Sequence, residues 1–378
     1  MSAPTGTASD RESTPSFDAY RRADGRTGVR NRVLVVPSVI CSHIVAERIA
    51  ESEESAVCAP HDHGCGQIGD DHEQTERTLL NLTRNPNVAG ATVVGLGCEH
   101  LQSGPFADRV AESGVTVRET AIQDAGGTDA CVEEGAAATA DLAAAAADAD
   151  RADATLADLT VGVVSSDLEE STRTVADPLV GDAVDALIDA GARVVVAGTD
   201  RLAAHRDAAA DRAATATVAE SVRTVGERDA GRPGNARRVA RRAADAPFDE
   251  IVGAWGSASV DELVPYGGRA STGGGLTLVD SPSRFEEAAT ALAAAGASIV
   301  VHVTADGVPT GHPVVPVLKV TGNETTAEAL ADDIDLDAHT ADVDAVLDEL
   351  GRVAGGTPTA SEEHGLTSFA ISRVGPSL

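Results

Sequence analysis

Short valine-rich runs alternate with alanine-rich stretches of helical length along almost the whole chain, and this alternation constrains the fold more than any other feature. Strand-length runs lie at 32–40, 55–59, 90–97, 115–119, 159–166, 192–198, 249–255, 275–280, 298–304, 314–321 and 367–372. Helices are expected between them, at 43–52, 72–85, 131–147, 178–190, 285–295 and 341–353. Strands that are apolar on both faces belong to parallel sheets covered by helices on each side. The expected fold class is α/β, with two Rossmann-like doubly wound units and mostly parallel sheets.

The organisation follows from the same pattern. Residues 1–18 are rich in Ser, Thr, Pro and Asp and read as a disordered leader. A first α/β domain is expected over 19–155, carrying most of the site loops, and a second over 156–330. Residues 331–378 are expected to form a helix and a strand that pack back on the core. Between 136 and 158 the chain is mostly Ala and Asp, which reads as a solvated helix leading into the domain boundary.

Charge narrows the class of partner. Lys and Arg total 29 against 60 Asp and Glu, a net charge of -31, and Lys319 is the sole lysine. Self-repulsion on that scale suits a halophilic cytosol, where salt screens charge within a few ångströms. Nucleic acid is a poor partner for such a surface, and aromatics at 2% leave few stacking platforms. No apolar run reaches bilayer-spanning length, the leader lacks a signal h-region, and polar residues follow Arg21-Arg22, so the expected location is cytoplasmic, without membrane contact. Five cysteines in such a chain point to free thiols or ligands, not disulfides.

In open α/β sheets ligands collect on the loops after the strands. Here those loops are Pro37-Ser38-Val39-Ile40-Cys41-Ser42-His43, then His61-Asp62-His63-Gly64-Cys65-Gly66-Gln67, then Gly95-Leu96-Gly97-Cys98-Glu99-His100. Thiols, imidazoles and a carboxylate on three such loops suit either a transition metal or proton transfer. The plainer alternative is that the cysteines act as small hydrophobes and the histidines lie on the surface. The spacing fits no zinc finger or ribbon. Arg26 and Arg30 on a glycine-containing loop could hold a carboxylate bidentately, or simply belong to a solvated turn. Gln123 through Thr128 could offer backbone N–H groups to an anion, or open a helix. Lys319, kept where every other lysine is gone, is suited to a carboxylate, an enolate or an acidic side chain. No nucleotide cofactor is expected, because Gly95-Leu96-Gly97 lacks the third glycine of the dinucleotide fingerprint and no Gly-Lys-Ser/Thr occurs.

These phrases together resemble the large domain of the altronate/galactarate dehydratase family, which also includes sulfolactate sulfo-lyase. The resemblance rests on Asp24-Gly25-Arg26 through Arg30-Asn31, Ser38 through Ser42, His61 through Gly66, Asn85-Pro86-Asn87, Gly95 through Glu99, Gln123 with Gly126-Gly127-Thr128, Pro233-Gly234-Asn235, Asp280-Ser281-Pro282, Gly311-His312-Pro313 with Lys319, and Thr359 with Glu362. It implies a hydro-lyase that removes water from a sugar acid to give a 2-keto-3-deoxy acid. It also implies a divalent metal, Fe(II) foremost with Mn or Mg as alternatives. On this likeness His61, His63, Glu99 and Lys319 are expected as catalytic residues. Arg26, Arg30, Ser42, Gln123, Thr128, Asp167, Asn235 and His312 are expected to bind substrate, and Cys41, Cys65, Cys98 and His61 to bind metal.

Departures from the family pattern shape the remaining expectations. Sugar-acid dehydratases of the family begin with a small β-rich domain, so a separately encoded small β-rich (SAF-like) subunit is expected as partner, with a homo-oligomer as an alternative assembly. The family Cys-Gly-Gly-Ser-Asp becomes Val163-Val164-Ser165-Ser166-Asp167, a glutamate is missing near Gly198, and Ala236 replaces a lysine. These losses raise one alternative, a degenerate paralogue acting as a binding or regulatory subunit; a separate alternative is elimination of a group other than water, such as sulfite.

Overall fold

The computed structural model describes residues 16–225, 238–375 and 377. Residues 1–15 of the expected leader, and the Pro233-Gly234-Asn235-Ala236 segment, lie outside the described residues. The leader expectation needs one correction at its end: Ser16–Arg21 forms a strand, β1. Its apolar Phe17 and Ala19 alternate with polar neighbours, so one face is buried. It pairs antiparallel with β2 (Thr27–Gly28) and with β7 (Ala152–Thr155), a small sheet that the sequence reading did not anticipate. β7 falls inside the 136–158 stretch taken for linker.

The first parallel sheet contains β3 (Arg32–Pro37), β4 (Ala56–Cys58), β5 (Val88–Gly95) and β6 (Thr116–Ala121), in the order β4-β3-β5-β6. Helices α1 (His43–Ala50), α2 (Asp70–Thr83), α3 (Ser103–Glu112) and α4 (Thr128–Ala147) connect and flank the strands. The order reverses between β3 and β5. At that switch point the loops leave in opposite directions and open a crevice at the carboxyl edge.

The second sheet has seven parallel strands. They are β8 (Thr160–Ser165), β9 (Arg193–Val196), β10 (Val260–Val264), β11 (Gly275–Val279), β12 (Ile299–Val303), β13 (Val317–Thr321) and β14 (Leu336–Asp337), in the order β10-β11-β9-β8-β12-β13-β14. Its switch point lies between β8 and β12. The doubly wound, parallel α/β expectation therefore holds for both units.

Two expected strands are absent. Residues 249–255 form the short helix Phe248–Ile251 and the 3-10 turn Gly253–Trp255, and no strand forms at 367–372. In the first case Pro247 starts the helix and acidic Asp249 and Glu250 occupy its first turn, where they complement the helix dipole. In the second, the backbone is taken by scattered partners from both units, Gly311 O for Ser368 N and the His63 ring for Ile371 O among them, and not by a sheet edge.

Helix α5 (Asp177–Ala190) and the Val343–Ala354 helix cover one face of the seven-stranded sheet. On the other face lies the Phe285–Ala295 helix, of which all but one residue are buried. Its alanines let it sit between Val164 and Val300 of the second sheet and Leu79 of α2, so the two units share one apolar core with Leu34, Val36 and Val93. Small side chains permit that close approach, and dense packing makes it stabilising.

Candidate functional site

The first candidate site lies at the β3/β5 switch point. Its centre is Glu99, buried at 3% exposure. Its carboxylate accepts from the Ser38 hydroxyl at 2.9 Å, from Leu96 N at 3.1 Å and from Gly97 N at 2.6 Å. Gly97 has φ 114, and a Cβ there would stand 2.9 Å from the Gln123 side chain, so only glycine lets this turn pass beneath the loop after β6. Ile40 N donates to His63 O at 2.9 Å, joining the loops after β3 and β4. Gln123 N donates to Leu96 O at 3.1 Å, bringing in the loop after β6. The predicted convergence of loops is thus present.

The expected residues carried by these loops are placed as follows. His61 Nε2 lies 2.8 Å from Pro37 O and its Nδ1 accepts from His63 N at 3.2 Å, so both ring nitrogens are engaged by backbone. Burial, reinforced by His63, lowers its pKa to about 4, which keeps the ring neutral. His63 is likewise held low by burial and bonds to the Thr75 hydroxyl at 2.8 Å and Ile371 O at 3.1 Å. Ser42 donates to Val94 O at 2.8 Å from a buried position. Cys41, Cys65 and Cys98 are exposed at the rim, as are Gln123 and Thr128, the latter being the first residue of α4. The loops therefore present free thiols to solvent over a floor of hydrogen-bonded imidazole and carboxylate. Among the described residues, no three His, Cys, Asp or Glu side chains are gathered so as to hold one metal ion. As folded, Cys41, Cys65, Cys98 and His61 do not form a single-ion centre.

The chain's C-terminal segment closes over this floor, which the sequence reading did not foresee. Asp71, at the start of α2, accepts from Val374 N at 2.7 Å, Gly375 N at 2.8 Å and the Ser377 hydroxyl at 2.6 Å. Arg373 pairs with Asp62 at 2.8 Å.

Arg26 and Arg30 face other protein groups. Arg30 donates bidentately to Glu362, at 2.9 and 2.7 Å, and also to Val353 O and Thr357 O. Arg32 joins the same carboxylate at 2.6 Å. Arg26 bonds to Ala270 O and pairs with Asp24 at 3.6 Å. Burial, then the nearby Arg269, brings its pKa down to about 10.

A second polar set lines the carboxyl edge of the seven-stranded sheet. Asp167, after β8, accepts from Ala305 N at 2.8 Å, Glu169 N at 3.0 Å and the Thr172 hydroxyl at 2.7 Å, tying the two sides of the switch point. Ser283 donates to Asp200 at 2.6 Å, and Thr199 to Asp280 at 3.0 Å. Arg201 is wholly buried, donating to Ile251 O at 2.8 Å and to Ser165 O. Burial pushes Asp177 up to about 7, opposed by the charge of Arg201. His312 is buried, its pKa lowered by burial to about 3, and its Nδ1 accepts from Val314 N at 3.2 Å. Lys319 sits on β13 beside His302 of β12, both fully buried. His302, Asp177 and Arg201 escaped the sequence reading. Only His302 left a trace there, as the one polar residue inside Ile299-Val300-Val301-His302-Val303.

Polar loops at the switch points of two parallel sheets place the chain in the class of doubly wound α/β proteins with ligand-binding carboxyl edges. More particularly, it belongs to the galactarate/altronate dehydratase family. Residues 19–147 match the second domain described for D-galactarate dehydratase/altronate hydrolase, and residues 252–377 match the C-terminal domain of D-galactarate/altronate dehydratase. Altronate dehydratase of Bacillus subtilis is 29% identical over 96% of this chain and 78% of its own length. The (2R)-sulfolactate sulfo-lyase subunit beta of Chromohalobacter salexigens is 27% identical over 95% of this chain and 97% of its own. Altronate dehydratase of Escherichia coli is 27% identical over 98% of this chain and 79% of its own. The family is thus one of dehydratases and related lyases. Among the described residues no helix is long and apolar enough to cross a membrane.

Proposed function

We propose that the chain is the large subunit of a sugar-acid dehydratase, removing water from an aldonate or aldarate such as altronate or galactarate to leave a 2-keto-3-deoxy acid. The carrying observation is the meeting of three strand-end loops at the β3/β5 switch point, tied by the Ser38–Glu99 and Ile40–His63 hydrogen bonds, in a chain of this family. β-Elimination needs a base for the proton α to the carboxylate, an acid for the departing hydroxide and fixed donors for the enediolate. Gln123, Thr128 and the N–H groups opening α4 lie at the rim where such donors are needed. His61 and His63 are neutral and able to accept a proton once a substrate displaces a backbone partner. Glu99, accepting three hydrogen bonds, holds the loops in place. His312, Asp167 and Asn235 would contribute from the second unit.

A divalent metal belongs to this reading, Fe(II) foremost and Mn or Mg as alternatives, with the exposed thiols of Cys41, Cys65 and Cys98 as its expected ligands. Since the described residues do not gather them around one ion, no step is assigned to it here. The subunit designation of the sulfo-lyase relative supports a small β-rich partner subunit. The test combines purified chain, candidate small subunit and Fe(II), assaying 2-keto-3-deoxy acid from altronate, galactarate and related acids. Absence of both product and substrate binding sinks the proposal.

A second reading is favoured by the engagement of His61, His63 and Glu99 by protein partners: a degenerate paralogue that binds a ligand or partner without turnover. Metal analysis separates the two. A stoichiometric metal lost in Cys98→Ala supports the lyase. Sulfite release from sulfolactate, measured in the same assay, would move the leaving group from water to sulfite.

A further inference from the structure

Among the described residues, one side-chain nitrogen of each of two buried basic residues in the second unit has no hydrogen-bond partner. His302 and Lys319 are register neighbours on β12 and β13, at 1% and 0% exposure. Side chains alternate across a strand. Val301, Val303, Leu318 and Val320 pack on the α5 side, whereas Val300 and Val317 pack toward the first unit. His302 and Lys319 therefore share the face that looks toward the first unit.

His302 is rigidly held. Its ring stacks on Phe285 with centroids 4.2 Å apart, and its Nε2 lies 2.8 Å from the Ser166 hydroxyl. Burial, with Lys319 adding to it, lowers its pKa to about 3, so the ring is neutral. The Ser166 hydroxyl stands 2.8 Å from Nε2 and 3.4 Å from Val303 O, so it can donate to either and both ring tautomers can be accommodated, while Nδ1 has no partner among the described residues. Lys319 donates its backbone N–H to Asp335 at 2.7 Å, but its ammonium Nζ has no partner among the described residues either. Asp333 and Asp335 act on it electrostatically without reaching ion-pair distance among the described residues. Unpaired buried donors are costly, and an unpaired buried ammonium most of all.

We infer that His302 Nδ1 and Lys319 Nζ form a buried two-nitrogen subsite for one carboxylate group of the substrate. The inference rests on the sugar-acid reading above and assigns the anchoring charge that Arg30, saturated by Glu362, does not provide. A carboxylate offers one oxygen to each donor and neutralises the ammonium. A water molecule satisfies the hydrogen bonds but leaves the charge. Ser166, half-buried after β8, can donate to Nε2 when a carboxylate accepts from Nδ1–H, and it stands at the carboxyl edge, by which a ligand would reach the pair.

The test uses the full chain labelled with 15N-histidine and malonate as probe. His302 ring resonances, assigned with His302→Gln, should shift saturably as malonate is added. Lys319→Met should weaken malonate binding roughly tenfold or more, as expected for loss of a charge-assisted hydrogen bond. A His302 signal that stays still at all malonate concentrations overturns the inference. So does an equal response to chloride alone, which marks an adventitious ion only. Should His302→Gln fail to fold, the shift caused by Phe285→Leu, which removes the ring stacked on His302, assigns the resonance instead. Malonate binding without turnover of any sugar acid keeps the subsite and removes the dehydratase reading. Normal KM for a sugar acid in Lys319→Met and His302→Gln does the reverse.

Discussion

Glu362 offers the sharpest test of how the arginines are used. Its carboxylate accepts twice from Arg30, at 2.9 and 2.7 Å, and once from Arg32 at 2.6 Å. It also closes a capping box with Thr359 at the start of the Ala360–Glu363 helix. Side-chain exposures are 13% for Arg30, 24% for Arg32 and 16% for Glu362, so the triad is largely desolvated. Removing one partner from a buried ion group costs about 3–5 kcal/mol, because the remaining charges are stranded. Glu362→Gln keeps one acceptor oxygen, so a loss near 3 kcal/mol is expected, a large share of a stability of roughly 5–15 kcal/mol. Denaturant unfolding at fixed salt measures it. Burial works against ionisation of Glu362, but bonding to Arg30 and the charges of Arg30 and Arg32 outweigh it and hold the pKa below 4.5. The stabilisation is therefore complete above that value and lost as pH falls through the lower folded one, so wild type and variant should converge in acid. Arg30→Lys should lower stability while leaving substrate KM unchanged. Identical unfolding of Glu362→Gln and wild type, or a raised KM with intact stability in Arg30→Lys, refutes the structural assignment of this arginine.

Other consequences follow from the same geometry. Ser38→Ala should cost about 1.5–3 kcal/mol by removing a hydrogen bond to a charged group, and should raise hydrogen exchange in residues 96–100; unchanged exchange there would show that Glu99 does not tie the loops. Asp177, with its pKa raised to about 7 by burial, binds its proton more tightly folded than unfolded. Stability should therefore fall as pH rises from 3.8 through 7, and Asp177→Asn should flatten that slope; parallel curves for the two proteins would count against it. With a net charge of -31, the fold should unfold more readily at 0.1 M than at 1 M KCl, where the Debye length drops from about 10 to about 3 Å. Salt-independent circular dichroism would remove the halophilic reading. Asp71→Ala should release the C-terminal segment and expose residues 368–377 to limited proteolysis, and resistance equal to wild type would show that the segment is held elsewhere.

The parallel sheets were legible because their strands are apolar on both faces: nine of the eleven expected runs coincide with strands, β3 and β12 among them. The β1–β7 ribbon was hidden because β7, Ala-Asp-Ala-Thr, has only one buried residue and no apolar run. The 249–255 run carried enough Ile, Val and Trp to mimic a strand, yet Gly253 and Gly256 let it fold back against Gly181 and Asp185 of α5. Sequence pattern encodes burial; it does not encode which neighbour does the burying.

The same limit governs the site. Position in the chain placed Cys41, Cys65, Cys98, His61 and Glu99 on touching loops, because the carboxyl edge of a parallel sheet is fixed by topology. Chemical role depended on partners drawn from far along the chain: Ile371 for His63, Glu362 for Arg30, Ser166 for His302. An arginine whose donors are all taken by protein acceptors has little left for a substrate. The Lys319 ammonium, buried without a partner among the described residues, keeps its donors for a ligand. Satisfaction of hydrogen bonds, more than residue type, therefore separates the groups that build this molecule from those left to act on a ligand, and on the inference above it points to Lys319 of β13 in place of the saturated Arg30.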